Sequence, residues 1–138
     1  MAESLRPVLL RIGRELRRET RAVGVSPEQV ALLVAIKYAP GIGVGELAAQ
    51  ERVSAPAMSN HVDRLERDGL VTRTPSADDK RRVGLRLTSE GQRVLRRVRS
   101  RRTAWLASRL GRLGPDELAA IEAAVEPLSL LLAEEERP

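Results

Sequence analysis

The run Gly43-Val44-Gly45-Glu46-Leu47-Ala48-Ala49-Gln50-Glu51-Arg52-Val53-Ser54-Ala55-Pro56-Ala57-Met58-Ser59-Asn60-His61-Val62-Asp63-Arg64-Leu65 opens the stretch on which the fold turns, which ends at Leu87-Thr88-Ser89-Glu90-Gly91. Val44 to Glu51 reads as a short helix. A break at Arg52-Val53-Ser54 separates it from a second helix over Ala55 to Asp68. In the second helix Met58, Val62 and Leu65 recur at +4 and +3, so one face is apolar. Ser54 stands at the N-cap, and Pro56 lies in the first turn, where a missing N–H is harmless. Two strand-like runs follow, Leu70 to Thr74 and Val83 to Leu87, joined by the polar, basic loop 75–82. Helix, tight turn, helix and hairpin in that order describe a winged helix-turn-helix, whose second helix suits a DNA major groove and whose hairpin tip suits the backbone or minor groove.

With its apolar face buried, the second helix leaves polar and charged groups outside. The candidate DNA-contacting residues are Ser54, Pro56, Ala57, Ser59, Asn60, His61 and Arg64 there, with Arg73, Lys80, Arg81 and Arg82 on the wing. Short or forked hydrogen-bonding side chains of this kind match base edges and phosphates. The plain alternative is a solvated helix face, and the adjoining basic hairpin argues against it.

Three runs resemble the signature of the MarR family of bacterial transcriptional regulators: Leu65-Glu66-Arg67-Asp68-Gly69-Leu70-Val71-Thr72-Arg73, then Asp79-Lys80-Arg81, then Leu87-Thr88-Ser89-Glu90-Gly91. The resemblance implies a homodimer that binds a pseudo-palindromic double-stranded operator, usually as a repressor released by a small ligand or by oxidation. It also implies that the wing arginine, Arg81 here, reaches into the minor groove. One departure stands out: Arg52 occupies a turn position where that family often has Gly. If the turn needs a positive φ, Arg costs about 1 kcal/mol or more relative to Gly.

Beyond this stretch, 138 residues suit a single domain with one core. The expected architecture is mainly α with a small β-hairpin wing. A winged helix-turn-helix lobe over 27–91 would be flanked by dimerisation helices over 1–26 and 92–138. Trp105 and Tyr38 are the only aromatics, so Leu, Val, Ile and Ala must build the core. With no Cys, disulfides, thiolate metal sites and thiol sensing are excluded. One His and no acidic–His cluster argue against a transition-metal site, and no cofactor is called for. No apolar run has signal-peptide or membrane length, so a cytoplasmic protein with no membrane partner is expected. An enzyme is disfavoured as well: Asp78 and Asp79 sit on a basic loop, and no phosphate loop or nucleophile–base pair is visible.

The flanks read as three helices. Leu5, Leu9, Ile12 and Leu16 form one stripe on a helix over Ser4 to Ala22, with six arginines elsewhere on it. Ser26-Pro27-Glu28-Gln29 opens the next helix as a capping box, with Val30, Leu33, Val34 and Lys37 assigned to one face. Thr88 caps a long helix to about Arg109, on which Val94, Val98 and Trp105 share a face. On the last helix Leu118, Ile121, Val125, Leu128 and Leu132 step +3, +4, +3, +4 as a heptad seam. That surplus of apolar surface favours exchange between two chains.

Charge is uneven around a net +5: residues 92–112 carry eight Arg and no acids, whereas 113–138 carry seven acids against Arg137. The arginine-rich helices favour an anionic effector, such as an aromatic carboxylate. By the position of the pocket in the resembled family, Leu16, Val30, Leu33, Val34 and Trp105 are the candidate ligand-binding residues, with plain core packing as the alternative. A DNA-binding protein with the same fold and no ligand switch is the runner-up.

Overall fold

The computed structural model describes residues 1–75 and 82–133. Eight elements follow one another: α1 (Ala2–Arg21), α2 (Pro27–Tyr38), α3 (Val44–Gln50), α4 (Ala55–Arg67), β1 (Val71–Pro75), β2 (Val83–Leu87), α5 (Ser89–Leu110) and α6 (Pro115–Leu130). They form two compact units, Met1–Arg102 and Thr103–Pro138.

Local chemistry sets the boundaries. At α2 the Ser26 hydroxyl accepts from the Gln29 N–H at 3.0 Å, and the Gln29 side chain accepts from the Ser26 N–H at 2.9 Å, closing the capping box. Ser54 accepts from the Ala57 N–H at 3.3 Å. Thr88 caps α5 by accepting from the Gly91 N–H at 3.0 Å, while its hydroxyl donates to the Gly69 carbonyl at 2.6 Å. One threonine therefore starts α5 and ties it to the end of α4.

Two helices end in the same way. At the end of α4 the Leu70 N–H bonds to the Leu65 carbonyl and the Gly69 N–H to the Glu66 carbonyl, with Gly69 at φ +76°. This is a Schellman cap with glycine in the left-handed position. At the end of α3 the Val53 N–H bonds to the Ala48 carbonyl and the Arg52 N–H to the Ala49 carbonyl, with Arg52 at φ +56°. The turn does require a positive φ, and an arginine holds it. The first cap also explains why β1 begins at Val71 rather than at the expected Leu70. The Leu70 N–H is committed to the cap, so the antiparallel ladder runs from Val71 opposite Leu87 to Pro75 opposite Val83. Ile42 adds an isolated bridge to Leu85.

The core of the first unit is built from Leu33, Ile36, Leu47, Met58, Val62, Leu65, Leu85 and Val98, with smaller aliphatic neighbours. Two approaches are too close for a side chain. A Cβ on Gly84 would lie 2.6 Å from the Gly41 carbonyl oxygen, and a Cβ on Gly91 would run into the Leu70 carbonyl. These glycines let β2 and the first turn of α5 lie against neighbouring backbone.

The face assigned to α2 needs correcting. Val30, Leu32, Leu33, Ala35 and Ile36 are buried, whereas Val34 is 39% exposed and Lys37 is exposed. The helix buries more than one side against the core, and the Val34–Lys37 edge is what remains outside.

In the second unit the Gly114 N–H donates to the Glu117 carboxylate at 3.0 Å, which opens α6. No residue of α6 is buried. Its seam residues Leu118, Ile121, Val125 and Leu128 are exposed, as are Val8, Leu9, Leu10 and Ile12 of α1. No helix among the described residues is long and apolar enough to cross a membrane.

Candidate nucleic-acid interface

Burial of Met58, Val62 and Leu65 fixes how α4 is turned, since all three are fully buried. Asn60, Arg64 and Arg67 repeat the same +4, +3 spacing two residues further along the helix. At about 100° per residue, that puts them on the side facing away from the core. All three are exposed, and so are Ser54, Pro56 and His61; Ala57 and Ser59 are half-buried at the edges of the stripe. The outward stripe therefore carries one amide and two guanidinium groups. Arg67 is the member that the sequence reading passed over. It stands in the last turn, where it could be dismissed as a cap, but the spacing from Asn60 and Arg64 gives it away.

Arg73, a wing candidate, is engaged within the fold itself. It lies on β1 and its side chain is only 33% exposed. Its Nη2 donates to Asp63 Oδ1 on α4 at 2.6 Å. Its Nε is shielded from solvent without a hydrogen bond, and Glu66 Oε1 stands 3.7 Å away. One strand arginine thus neutralises two carboxylates on the flank of α4 and ties the wing to that helix.

Arg82 is exposed and lines a cleft of about 350 Å³ with Gly41, Gly43, Gly45, Glu46 and Val83. Lys80 and Arg81 lie outside the described residues. The ligand candidates differ in burial. Val30 and Leu33 belong to the core at 5% and 0% exposure, Val34 is on the surface, and Leu16 is half-buried. Trp105 is half-buried in the second unit, with the Arg109 guanidinium over its ring at 5.2 Å.

This geometry can be set beside known proteins. Residues 25–83 match the family model described as MarR family. The HTH-type transcriptional repressor MdtR of Bacillus subtilis is 31% identical over 115 residues, which cover 83% of this chain and 74% of that protein. The chain belongs to the MarR family. A MarR-family chain of this length also superposes on solved regulators. Transcriptional regulator Tm0710 from Thermotoga maritima has a TM-score of 0.77 and 27% identity, covering 96% of each chain. A point mutant of MepR from Staphylococcus aureus, solved bound to an oligodeoxyribonucleotide, shares the fold at a TM-score of 0.75 and 21% identity, covering 98% of this chain and 97% of that one. This MarR-family protein is a transcriptional regulator of winged-helix fold, and members of its family are not enzymes.

Proposed function

We propose that the protein is a homodimeric, sequence-specific repressor that binds a pseudo-palindromic operator and is released by a small anionic ligand. The observation that carries the DNA-reading part is the stripe of Asn60, Arg64 and Arg67, directed away from the Met58–Val62–Leu65 face. Asn is the side chain that pairs bidentately with adenine, and Arg serves guanine or phosphate. Ser59 and His61 flank the reader, and Ser54 at the N-cap stands where helix amides meet a phosphate. Arg82, beside the loop end of the β1–β2 ladder, extends the basic surface, and Lys80 and Arg81 precede it in the sequence. MdtR, a relative named as a repressor, supports the direction of regulation.

The dimer rests on exposed apolar surface. Leu118, Ile121, Val125 and Leu128 repeat at heptad spacing, and each is at least 36% exposed in the single chain. The exposed aliphatic residues of α1 add further apolar side chains that a partner could cover. A second copy is the occupant that the self-complementary seam fits, and a two-fold dimer presents two recognition helices to two half-sites.

The test is operator selection from random or genomic fragments, followed by footprinting. A protected site with two-fold symmetry supports the reading, and protection without sequence preference sinks it. Sedimentation decides the assembly. Wild type should be a dimer at micromolar concentration, and Leu128→Arg should be monomeric or unfolded, because an unpaired charge in the seam is strongly unfavourable. Screening small anions for an effect on operator affinity separates a ligand-released repressor from a constitutive DNA binder.

A further inference from the structure

The outward face of α5 carries Arg93, Arg96, Arg97, Ser100 and Arg101, which line a cleft of about 310 Å³. The two ends of this row are already neutralised. Arg93 pairs with Glu90 at 3.1 Å, and Arg101 pairs with Glu19 of α1 at 3.0 Å. Arg96 and Arg97, in the middle, have no carboxylate within 4.0 Å among the described residues. No acid occurs in the sequence between Glu90 and Asp116 that could serve them from the same helix.

We infer that this cleft binds a small oxoanion, a carboxylate or a phosphate, and that the bound anion competes with Glu19 for Arg101. Arg96 and Arg97 both line the groove, so each can turn a guanidinium fork toward an oxoanion, and the Ser100 hydroxyl adds a third donor group. All five residues lie on one helix, so the groove is shallow and open, and it suits a compact anion held by charge rather than by enclosure.

Arg101 is what gives the site a consequence. It lines the cleft, yet its Nε and Nη2 both reach Glu19 Oε2, at 3.1 and 3.0 Å. The next residue continues the connection: Arg102 Nε donates to the Thr20 hydroxyl at 2.9 Å, and that hydroxyl donates to the Leu16 carbonyl at 3.1 Å. Thr20 is fully buried. Successive arginines of α5 therefore hold successive residues at the end of α1. An oxoanion that draws Arg101 into the cleft leaves the Glu19 carboxylate, only 23% exposed, without its partner. Anion binding and the Glu19–Arg101 pair then oppose each other, and by linkage whatever weakens one strengthens the other. Since α5 starts at the wing, this competition gives the anion a route to operator affinity; that last step alone rests on the ligand-released reading.

The experiment titrates the purified full chain, without DNA, with inorganic phosphate and separately with benzoate, ionic strength being held with chloride. Wild type should show saturable binding of one of the two, which tells phosphate from carboxylate. The double variant Arg96→Gln/Arg97→Gln should weaken it roughly tenfold or more, as expected for two lost charge-assisted contacts. Glu19→Gln should tighten it severalfold, because Arg101 is then released to the anion. Circular dichroism confirms that the variants are folded. No saturable binding beyond chloride in wild type, or equal binding by the double variant, overturns the site. Unchanged or weaker binding by Glu19→Gln overturns the competition. If the double variant loses operator affinity with no phosphate or benzoate present, the cleft serves the DNA backbone and the inference fails. Operator affinity that ignores an anion the chain demonstrably binds removes the regulatory step and leaves the cleft assigned.

Discussion

Arg73 on β1 and Asp63 on α4 are joined by a 2.6 Å charge-assisted bond across ten residues of sequence, so the wing and α4 are held as one piece. The pair is partly solvated, so its contribution to stability is modest, about 1 kcal/mol or less. Its electrostatic effect on DNA is the larger one. Arg73→Ala exposes the Asp63 and Glu66 carboxylates to phosphate and should lower operator affinity. Asp63→Asn releases the guanidinium and should raise affinity at low salt, steepening the salt dependence by about 0.9 for each further phosphate that a chain neutralises. Affinity measured against salt for both variants tests this: a drop of equal size in both would mean that the bond acts only by holding the fold.

Asn60 is the predicted base reader. Asn60→Ala should cost roughly 1–3 kcal/mol in operator binding and relax the preference at one base pair per half-site. Arg67→Ala should weaken binding to all sequences alike and flatten the salt slope by about one per chain. Selection experiments on the two variants distinguish them, and an unchanged consensus for Asn60→Ala would remove it from the readout.

Arg52 sets up a gain of stability. An L-residue in the left-handed region costs about 1–2 kcal/mol, which Gly avoids, while Gly adds unfolded-state entropy that costs about 0.4–1 kcal/mol. Arg52→Gly should therefore stabilise by about 0.5–1 kcal/mol in urea unfolding. Arg52→Ala keeps the strain and should gain nothing; equal effects from both variants would show that the turn is not strained.

Gly91 should tolerate no side chain. Its missing Cβ is what admits the Leu70 carbonyl, which itself accepts the Thr88 N–H at 3.1 Å and so cannot retreat freely. Gly91→Ala should destabilise by about 1–3 kcal/mol, the usual cost of overpacking. A thermal midpoint equal to that of wild type would refute the close approach.

Much of this was legible in the sequence because it is local. Capping residues Ser26, Ser54 and Thr88 and the periodicity of Met58, Val62 and Leu65 act within a few residues, and their positions in the fold follow the pattern. The strain at Arg52 was anticipated only through the resembled family, which often has glycine at that turn position; the positive φ is there. What escaped depends on tertiary contact. Arg73 looks like one more wing cation until α4 supplies Asp63. Val34 looks apolar enough to be inside, but α2 has enough other aliphatic residues to fill its buried sides. Leu70 has strand chemistry, yet its N–H is taken by a helix cap.

The scarcity of aromatic residues gives the molecule its own optical labels. Its one indole, Trp105, belongs to the unit Thr103–Pro138, and its one phenol, Tyr38, to the unit Met1–Arg102. Emission excited selectively in the indole therefore originates in the second unit alone, from a ring covered by a guanidinium. Cooperative units can open at different free energies. In this chain, comparing the tryptophan signal with backbone dichroism would set the loss of structure around Trp105 against the loss of helix as a whole, with no label attached and no residue changed.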